Sequence, residues 1–591
     1  MEHNTVPNGV SPIERLPPEI LQKILSHIGE AFEHAFLHEV YSDSITSLPY
    51  GDILGLLVVS QRWHNAATAV VELWTCIPTH APSETIDTFV RRSGQRPLYL
   101  AIDSTRGSWA PRSREKQRQL LHLMPRVRGF IWQKRGVEGE SEMESSDDEE
   151  VEPADAALSV AEIYTILSAV AAPLLEKLYL DLKSTDRDFD SFLPTLFAGG
   201  APPRLRVLEV FDQKLAKSNP LLNSPLTNLH LIDVYDVWND GRDMADTLSR
   251  MQQLELLRLD QRPESSFFTF DSDDPPSASA PEHTIASLPR LSLLDITDRI
   301  SSVSEVLEHI AFPLECLISI EAKGTHDGEG SSGEEKRVNL ESLMDALNAH
   351  YKPAFDSGMS FRAAHVLLRD RRDDRLFLQA SHLCKIEDSP FSSGDVDITD
   401  MDLVYGKVVK DTRLTLGMVW DLPDIPDVST SRVVFEQLSA LQGLEGLSMS
   451  TSNSQRSRQA LPDFLVHFPT FNALIARQTR IRWLEMTHYP AWAFSRTPER
   501  ILSIFHPQLE VICIKNAAFT PVPANSPTQA VPNTLNVDRL EAYLATRASA
   551  GRLRMFHVRK CIIDDSTMVS RLREAVGESR WTWDGKILGW S

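Results

Sequence analysis

The chain has little cysteine. Five thiols, at Cys76, Cys316, Cys384, Cys513 and Cys561, are scattered through 591 residues with no C-x-x-C pair. An odd, dispersed set argues against a disulfide framework and offers no structural zinc spacing. Long apolar runs are missing too. The longest, Ile53-Leu54-Gly55-Leu56-Leu57-Val58-Val59, falls far short of the roughly 18 to 20 residues that span a bilayer. The opening MEHNTVPNGVSPIERLPPE has no basic cluster leading into an apolar core, so no secretory signal is read and a cytoplasmic or nuclear home is expected. Positive charge is outnumbered, 60 Lys and Arg against 82 Asp and Glu, for a net charge of −22. That balance disfavours nucleic acid or an anionic lipid surface as a partner. No G-x-S-x-G, P-loop or Cys/His dyad is present, so no catalytic, cofactor or metal residue is nominated and no enzyme activity is expected.

What is present is ample apolar content, 42%, in a chain long enough for several domains or one extended array. The charge is unevenly placed. Between Arg91 and Arg135 stand twelve Arg and Lys against Asp103 and Glu115. Directly afterwards EGESEMESSDDEEVE, residues 138–152, carries nine acids and no base. A run like that buries too little apolar surface to offset its ordering entropy, so residues 138–157 are expected to form a disordered acidic loop, and residues 1–11 a disordered N-terminus. Similar loops are expected near 262–284 and 324–337. The basic stretch reads as a solvated surface, as a partner for the adjacent acidic tract, or as a site for an external polyanion. Ser145 and Ser146 precede Asp147-Asp148-Glu149-Glu150, a context that favours acidophilic kinases.

Around these loops, helix-like and strand-like stretches alternate. Ser83 is placed to cap a helix through Ile86, Phe89 and Val90 that stops at Gly94, and PLYLAID follows with apolar residues at 98, 100 and 102. Units of this kind over 81–137 open a series. An L-x-x-L-x-L frame then recurs at Leu175-Leu178-Leu180, Leu205-Leu208-Val210, Leu226-Leu229-Leu231, Leu254-Leu257-Leu259 and Leu291-Leu294-Ile296, with a weaker one beginning at Leu314. It returns at Leu444-Leu447-Met449, Ile481-Leu484-Met486, Leu509-Ile512-Ile514 and Leu553-Phe556-Val558. The early spacings average about 28 residues, within the range of leucine-rich repeats but irregular. The expected class is α/β: a short three-helix module, then an irregular leucine-rich-repeat-like solenoid over 158–591 with a parallel sheet.

The module lies at 12–80. In LPPEILQKILSHI, Pro18 suits the first helical position and Glu19 the first turn. Ile20, Leu21, Ile24, Leu25 and Ile28 recur at helical spacing, and the helix is expected to end near Gly29. A second helix is expected after Asp52, with Trp63 among its apolar positions, and a third short element ends at Leu73-Trp74. The order LPPEIL…IL…I, LLVVSQRWHNAA, VELWTCI resembles the F-box. Its continuation through FVRRSGQRPLYLAID into irregular leucine-rich strands is similar to a group of F-box proteins of mushroom-type fungi.

The resemblance implies a non-catalytic substrate-recognition subunit of a Skp–cullin–F-box ubiquitin ligase. Such a chain binds a Skp-family adaptor, and through it cullin, while its solenoid holds a target protein whose identity the sequence does not give. It further implies that Leu16, Pro17, Ile20, Leu21, Ile24, Leu25, Leu57, Val59, Trp63 and Trp74 are adaptor-facing or module-core positions. Two features depart from the family pattern: the long stretch EAFEHAFLHEVYSDSITSLPYGD between the first helices, and Ser60 where many members have Cys. The alternative is a scaffold acting outside a ligase, with the helices capping the array.

Two weaker motifs read as structural. Gly328-Glu329-Gly330-Ser331-Ser332-Gly333 matches G-x-G-x-x-G, but Asp327, Glu329, Glu334 and Glu335 would repel a pyrophosphate. His34 and His38 share a helix face but lack the Glu and third ligand of a zinc site.

Overall fold

The structure is a computed structural model. It describes residues 16–38, 50–79, 81–103, 114–133, 158–181, 193–262, 267–268, 284–323, 333–368, 374–385, 412–420, 437–438, 441, 443–451, 480–487, 491, 508–519, 536–563 and 566–583. The acidic tract 138–157 and the G-x-G-x-x-G up to Ser332 lie outside these residues. So do the 1–11 terminus and most of the other two expected loops. The class is α/β, and the chain divides into two compact units. The first holds the described residues up to Arg258 together with Phe267 and Phe268; the second holds Leu259 to Arg262 and everything described from residue 284.

The first unit opens with α1 (Pro18–His38), α2 (Tyr50–Val58) and α3 (Gln61–Ala69), followed by a 3-10 turn at Val71–Trp74. Strands β1 (Cys76–Ile77), β2 (Leu98–Asp103), β3 (Val127–Gln133), β4 (Lys177–Asp181), β5 (Val207–Phe211) and β6 (Asn228–Ile232) then pair in sequence order, each parallel to the next. Helices α4 (Ser83–Arg92), α5 (Arg114–Leu121) and α6 (Val160–Ala169) make the first three crossovers, and α7 (Gly241–Leu248) leads to β7 (Leu256–Asp260), within which the division falls. The residues of the module and those of the first strands therefore belong to one unit. Helix α4 starts at Ser83 but takes its cap position from Pro82, without a side-chain bond, and it ends as expected, with Gly94 at φ +55°.

The leucine frame forms the core. All fifteen side chains of the five frames from Leu175 to Ile296 are buried, as are the twelve from Leu444 to Val558. The frame at Leu314 is off by one. Leu314 and Leu317 are half-buried, whereas Ile318 and Ile320 face inward. The exit turn also repeats. Asp212, Asp233, Asn516 and Lys560 each follow a strand directly and adopt φ between 48° and 52°. Asp and Asn tolerate that left-handed conformation better than most residues.

The second unit contains β8 (Ala286–Ser287), β9 (Leu293–Arg299), α8 (Ile300–His309), β10 (Ile310–Ala311), β11 (Leu317–Lys323), α9 (Gly333–Asp356), β12 (Ser360–Leu368), β13 (Asp374–Cys384), β14 (Thr412–Trp420), β15 (Gly446–Thr451), β16 (Trp483–Thr487), β17 (Val511–Lys515) and β18 (Ala518–Phe519). It ends with α10 (Val537–Ser549), β19 (Met555–Arg559), β20 (Ile562–Ile563), α11 (Ser566–Val576) and β21 (Trp581–Trp583). Strands β8 and β10 form one small parallel pair, β18 and β20 another.

An unbroken run of equivalent parallel repeats, expected for 158–591, is not what forms. The spatial order is β9-β11-β14-β13-β12-β15-β16-β17-β19-β21, with β13 antiparallel to both neighbours. Because β12 lands three places from β11, the crossover spans about 14 Å at ordinary strand spacing. The helix that makes it, α9, has 24 residues where α8 has 10. The residues 338–443, where no leucine frame is legible, thus hold a strand pair folded back into the gap. A second correction concerns 262–284. Phe267 and Phe268 are buried against Trp238, and Trp238 pairs with Phe268 in an isolated parallel bridge.

Candidate docking surface

The N-terminal helices are built by division of labour. Helix α1 begins where Ile20 and Leu21 donate their amides to the carbonyl of Pro17, with Glu19 in its first turn. Leu21 and Leu25 are fully buried, and Ile53, Trp63, Ala67, Leu73 and Trp74 complete the packing. The indole N–H of Trp74 donates to the carbonyl of Ala67 at 3.0 Å, the Phe89 ring meets it edge-on at 4.9 Å, and the Arg92 guanidinium lies 4.4 Å over it. Ser60 caps α3 by accepting the amide of Trp63. That local role accounts for a hydroxyl where the family pattern has a thiol. The Arg62 guanidinium donates to the carbonyl of Leu16, fixing the start of α3 against the start of α1.

Of the ten positions singled out by resemblance, Leu21, Leu25, Trp63 and Trp74 are buried and form the module's own core. Leu16 and Leu57 are half-buried, and Pro17, Ile20, Ile24 and Val59 are exposed. Ile20 is 45% exposed, Ile24 37% and Val59 55%. Val58, which the pattern did not single out, is 83% exposed beside Val59. Ile20 and Ile24 lie one above the other on α1, one turn from Leu16, and Val58 and Val59 stand at the end of α2, just before the Ser60 cap of α3. The large exposed hydrophobic residues among those described are six, and four of them are these.

Helix α1 does not end near Gly29. It continues to His38 because Gly29 is buried beneath the backbone of Glu72, where any side chain would collide. The extra turns pack on the sheet: Phe36 meets Tyr99 edge-on at 5.4 Å and clusters with Cys76, Ala101, Ile131 and Tyr179, with Phe32 and Phe211 alongside. Glu33 accepts from the Thr75 hydroxyl at 2.9 Å and from the Tyr99 hydroxyl at 3.3 Å. Burial and the Glu33 charge push the Tyr99 phenol well up from its ordinary range. The long stretch between the first two helices, a departure from the family pattern, is in its first half a strut joining module and sheet. Residues 39–49 lie outside the described residues. His34 is exposed, and no group of three or more His, Cys, Asp or Glu side chains among the described residues forms a metal site.

Among the described residues, most of the basic stretch is matched by the chain's own acids. Arg96 pairs with Glu72 at 2.8 Å, Arg118 with Glu115 at 3.0 Å and Arg128 with Glu176 at 2.7 Å, while Arg114 pairs with Glu162 and Lys116 with Asp87. Arg92 is spent on Trp74, and Arg126 donates to the carbonyl of Arg96. These partners come from α4, α5, α6 and the turns beside β1 and β4, so the charge serves internal seams between neighbouring crossovers.

The face opposite the leucine core also holds buried charge. Lys177 and Glu209 face each other at 3.4 Å, with His230 3.8 Å from the same carboxylate oxygen. Burial outweighs their mutual attraction, pushing the lysine down, the carboxyl up and the imidazole down to about 4.

No protein-family model matches the chain, and a search of curated proteins finds no match. No helix among the described residues is long and apolar enough to cross a membrane.

Proposed function

We propose that this protein is the substrate-recognition subunit of a Skp–cullin–F-box ubiquitin ligase, leaving ubiquitin transfer to other subunits and working in the cytoplasm or nucleus. Its F-box binds a Skp-family adaptor, and through it cullin. Its irregular leucine-rich-repeat-like sheet presents a target. The observation that carries the reading is the exposure of Ile20, Ile24, Val58 and Val59. These are large apolar side chains left exposed on a module whose other described large apolar residues are buried or half-buried, as a docking face requires. Covering a fully exposed side chain of this size gains roughly 1.5–3 kcal/mol, and these gain a share in proportion to their exposure, before the costs of association.

The test is co-purification of the full chain with a Skp-family adaptor. Ile20→Asp combined with Ile24→Asp abolishes capture while leaving the fold intact; undiminished capture overturns the reading. Leu21→Asp is unsuited to this purpose, because Leu21 is fully buried and an acid there unfolds the module. The second reading, a scaffold acting outside a ligase with α1 as a cap, draws on the packing of Phe36 against Tyr99. The double variant separates the two, since a cap has no use for Ile20 or Ile24.

A further inference from the structure

The second unit carries a hydrogen-bonded chain of side chains that the docking function does not use. His365 on β12, Ser448 on β15, Glu485 on β16, Cys513 on β17 and His557 on β19 stand at one register level across adjacent strands. The Ser448 hydroxyl donates to Glu485 Oε1 at 3.0 Å. With its proton committed there, Ser448 Oγ accepts from His365 Nδ1 at 2.9 Å, which fixes the tautomer and leaves the lone pair on Nε2. Ser450 Oγ lies 3.3 Å from that Nε2 and donates to it. The order is therefore hydroxyl, imidazole, hydroxyl, carboxylate. Its carboxylate end is buried, with Glu485 3% and Ser448 1% exposed, whereas Ser450 is 9% exposed and His365 only half-buried. The Ser450 hydroxyl, itself buried, ends the chain beside the half-buried imidazole.

We propose that Ser450 is an activated hydroxyl that takes an acyl group from small carboxylic esters, with His365 as its general base. Ser450 Oγ attacks the ester carbonyl and forms the new C–O bond as its proton passes to His365 Nε2. The ester C–O bond then breaks, and the Nε2 proton leaves with the alcohol. Water repeats the sequence to release the acid. Ser448 and Glu485 are positioning residues that hold the imidazole in the tautomer the transfer needs. Burial and the nearby Lys515 charge press His365 down to about 4, so the imidazole is uncharged at neutral pH and able to accept the proton. A base this weak makes turnover slow, so covalent labelling is the sensitive readout. The residues are 85 and 37 positions apart, which is why no local motif announces them.

The experiment treats the full chain with a fluorophosphonate probe and locates the adduct by mass spectrometry. The expected result is one adduct at Ser450, absent from Ser450→Ala and slowed at least about 100-fold in His365→Gln. The labelling rate is expected to be flat from about pH 6 to about pH 8, and Glu485→Gln to give a smaller loss with a displaced pH profile. Near-UV circular dichroism of each variant establishes that it is folded. No adduct on the folded wild type overturns the proposal. So does a folded His365→Gln labelled at the wild-type rate, or a rate that climbs steadily into alkali like that of an unassisted hydroxyl.

Discussion

Gly29 lies directly beneath the backbone of Glu72: a Cβ placed on it would stand 2.7 Å from the Glu72 carbonyl carbon and 2.8 Å from the Glu72 Cβ. This close approach lets α1 run past the 3-10 turn at Val71–Trp74 and reach the sheet. Gly29→Ala is therefore expected to destabilise the protein by about 1–3 kcal/mol, since backbone on both sides has to shift. Gly55, exposed on α2 with nothing within 4 Å of a Cβ, is the control. Gly55→Ala is expected to be neutral or to stabilise by up to about 1 kcal/mol, because it only removes freedom from the unfolded chain. Denaturant titration of the two variants checks the contrast.

The strut makes a second prediction. Phe36 is 4% exposed and covers Tyr99, Ala101, Ile131 and Tyr179, so Phe36→Ala is expected to cost about 3–5 kcal/mol. Removal of residues 1–80 uncovers the same cluster. The truncated chain is expected to expose tyrosine fluorescence to quencher and to lose cooperative unfolding of the first sheet. Intact cooperativity after truncation would show that the helices are an appendage to the sheet.

How far the sequence discloses this arrangement depends on where each signal resides. The leucine frame joins two positions spaced two apart within a strand to one just before it, and it marks buried positions from Leu175 to Ile296 and from Leu444 to Val558 because burial demands it locally. Strand direction is a different matter. Nothing in DRLFLQASHLC distinguishes an antiparallel strand from a parallel one, and the placement of β13 is decided by partners far along the chain. The extent of α1 is hidden for a related reason: glycine reads as a helix stop, and only the backbone of Glu72, 43 residues on, makes it a packing residue. Within the docking surface, helical spacing identified Ile20, Leu21, Ile24 and Leu25 together, but which of them face outward depends on where α3 and the 3-10 turn lie.

The separation of core from surface in the module predicts two sizes of effect. Leu25→Ala is expected to cost about 2–5 kcal/mol, because Leu25 is fully buried and a cavity remains. Val58→Ser, at an 83% exposed position, is expected to change stability by no more than about 0.5 kcal/mol. Chemical denaturation distinguishes them readily. Under the proposed function Val58→Ser weakens adaptor capture although it leaves folding untouched, a combination that a purely structural module does not produce.

Acid stability tests the buried ionisable groups against one another. His230, His350 and His365 are lowered from 6.5 to about 4, with burial the leading cause in each. Between those values the unfolded chain binds protons that the folded chain refuses, so the stability these residues contribute above 6.5 is lost as pH falls toward about 4. Asp298 works the other way. Burial raises its carboxyl from 3.8 to about 7, although the Arg299 amide donates to it. The folded chain therefore holds a proton that the unfolded chain has released, and its contribution is greatest at low pH and is lost as pH rises through about 7. The three imidazoles oppose two raised carboxyls, Asp298 and Glu209, so the wild type is expected to weaken on acidification from about pH 6.5 to about pH 4. Asp298→Asn keeps the neutral shape and removes one opposing group, so its stability falls more steeply over that interval, while His230→Gln makes the fall shallower. Urea midpoints of the three proteins measured across the interval decide the matter. A slope unchanged in Asp298→Asn would mean that the Asp298 carboxyl is ionised in the folded protein throughout.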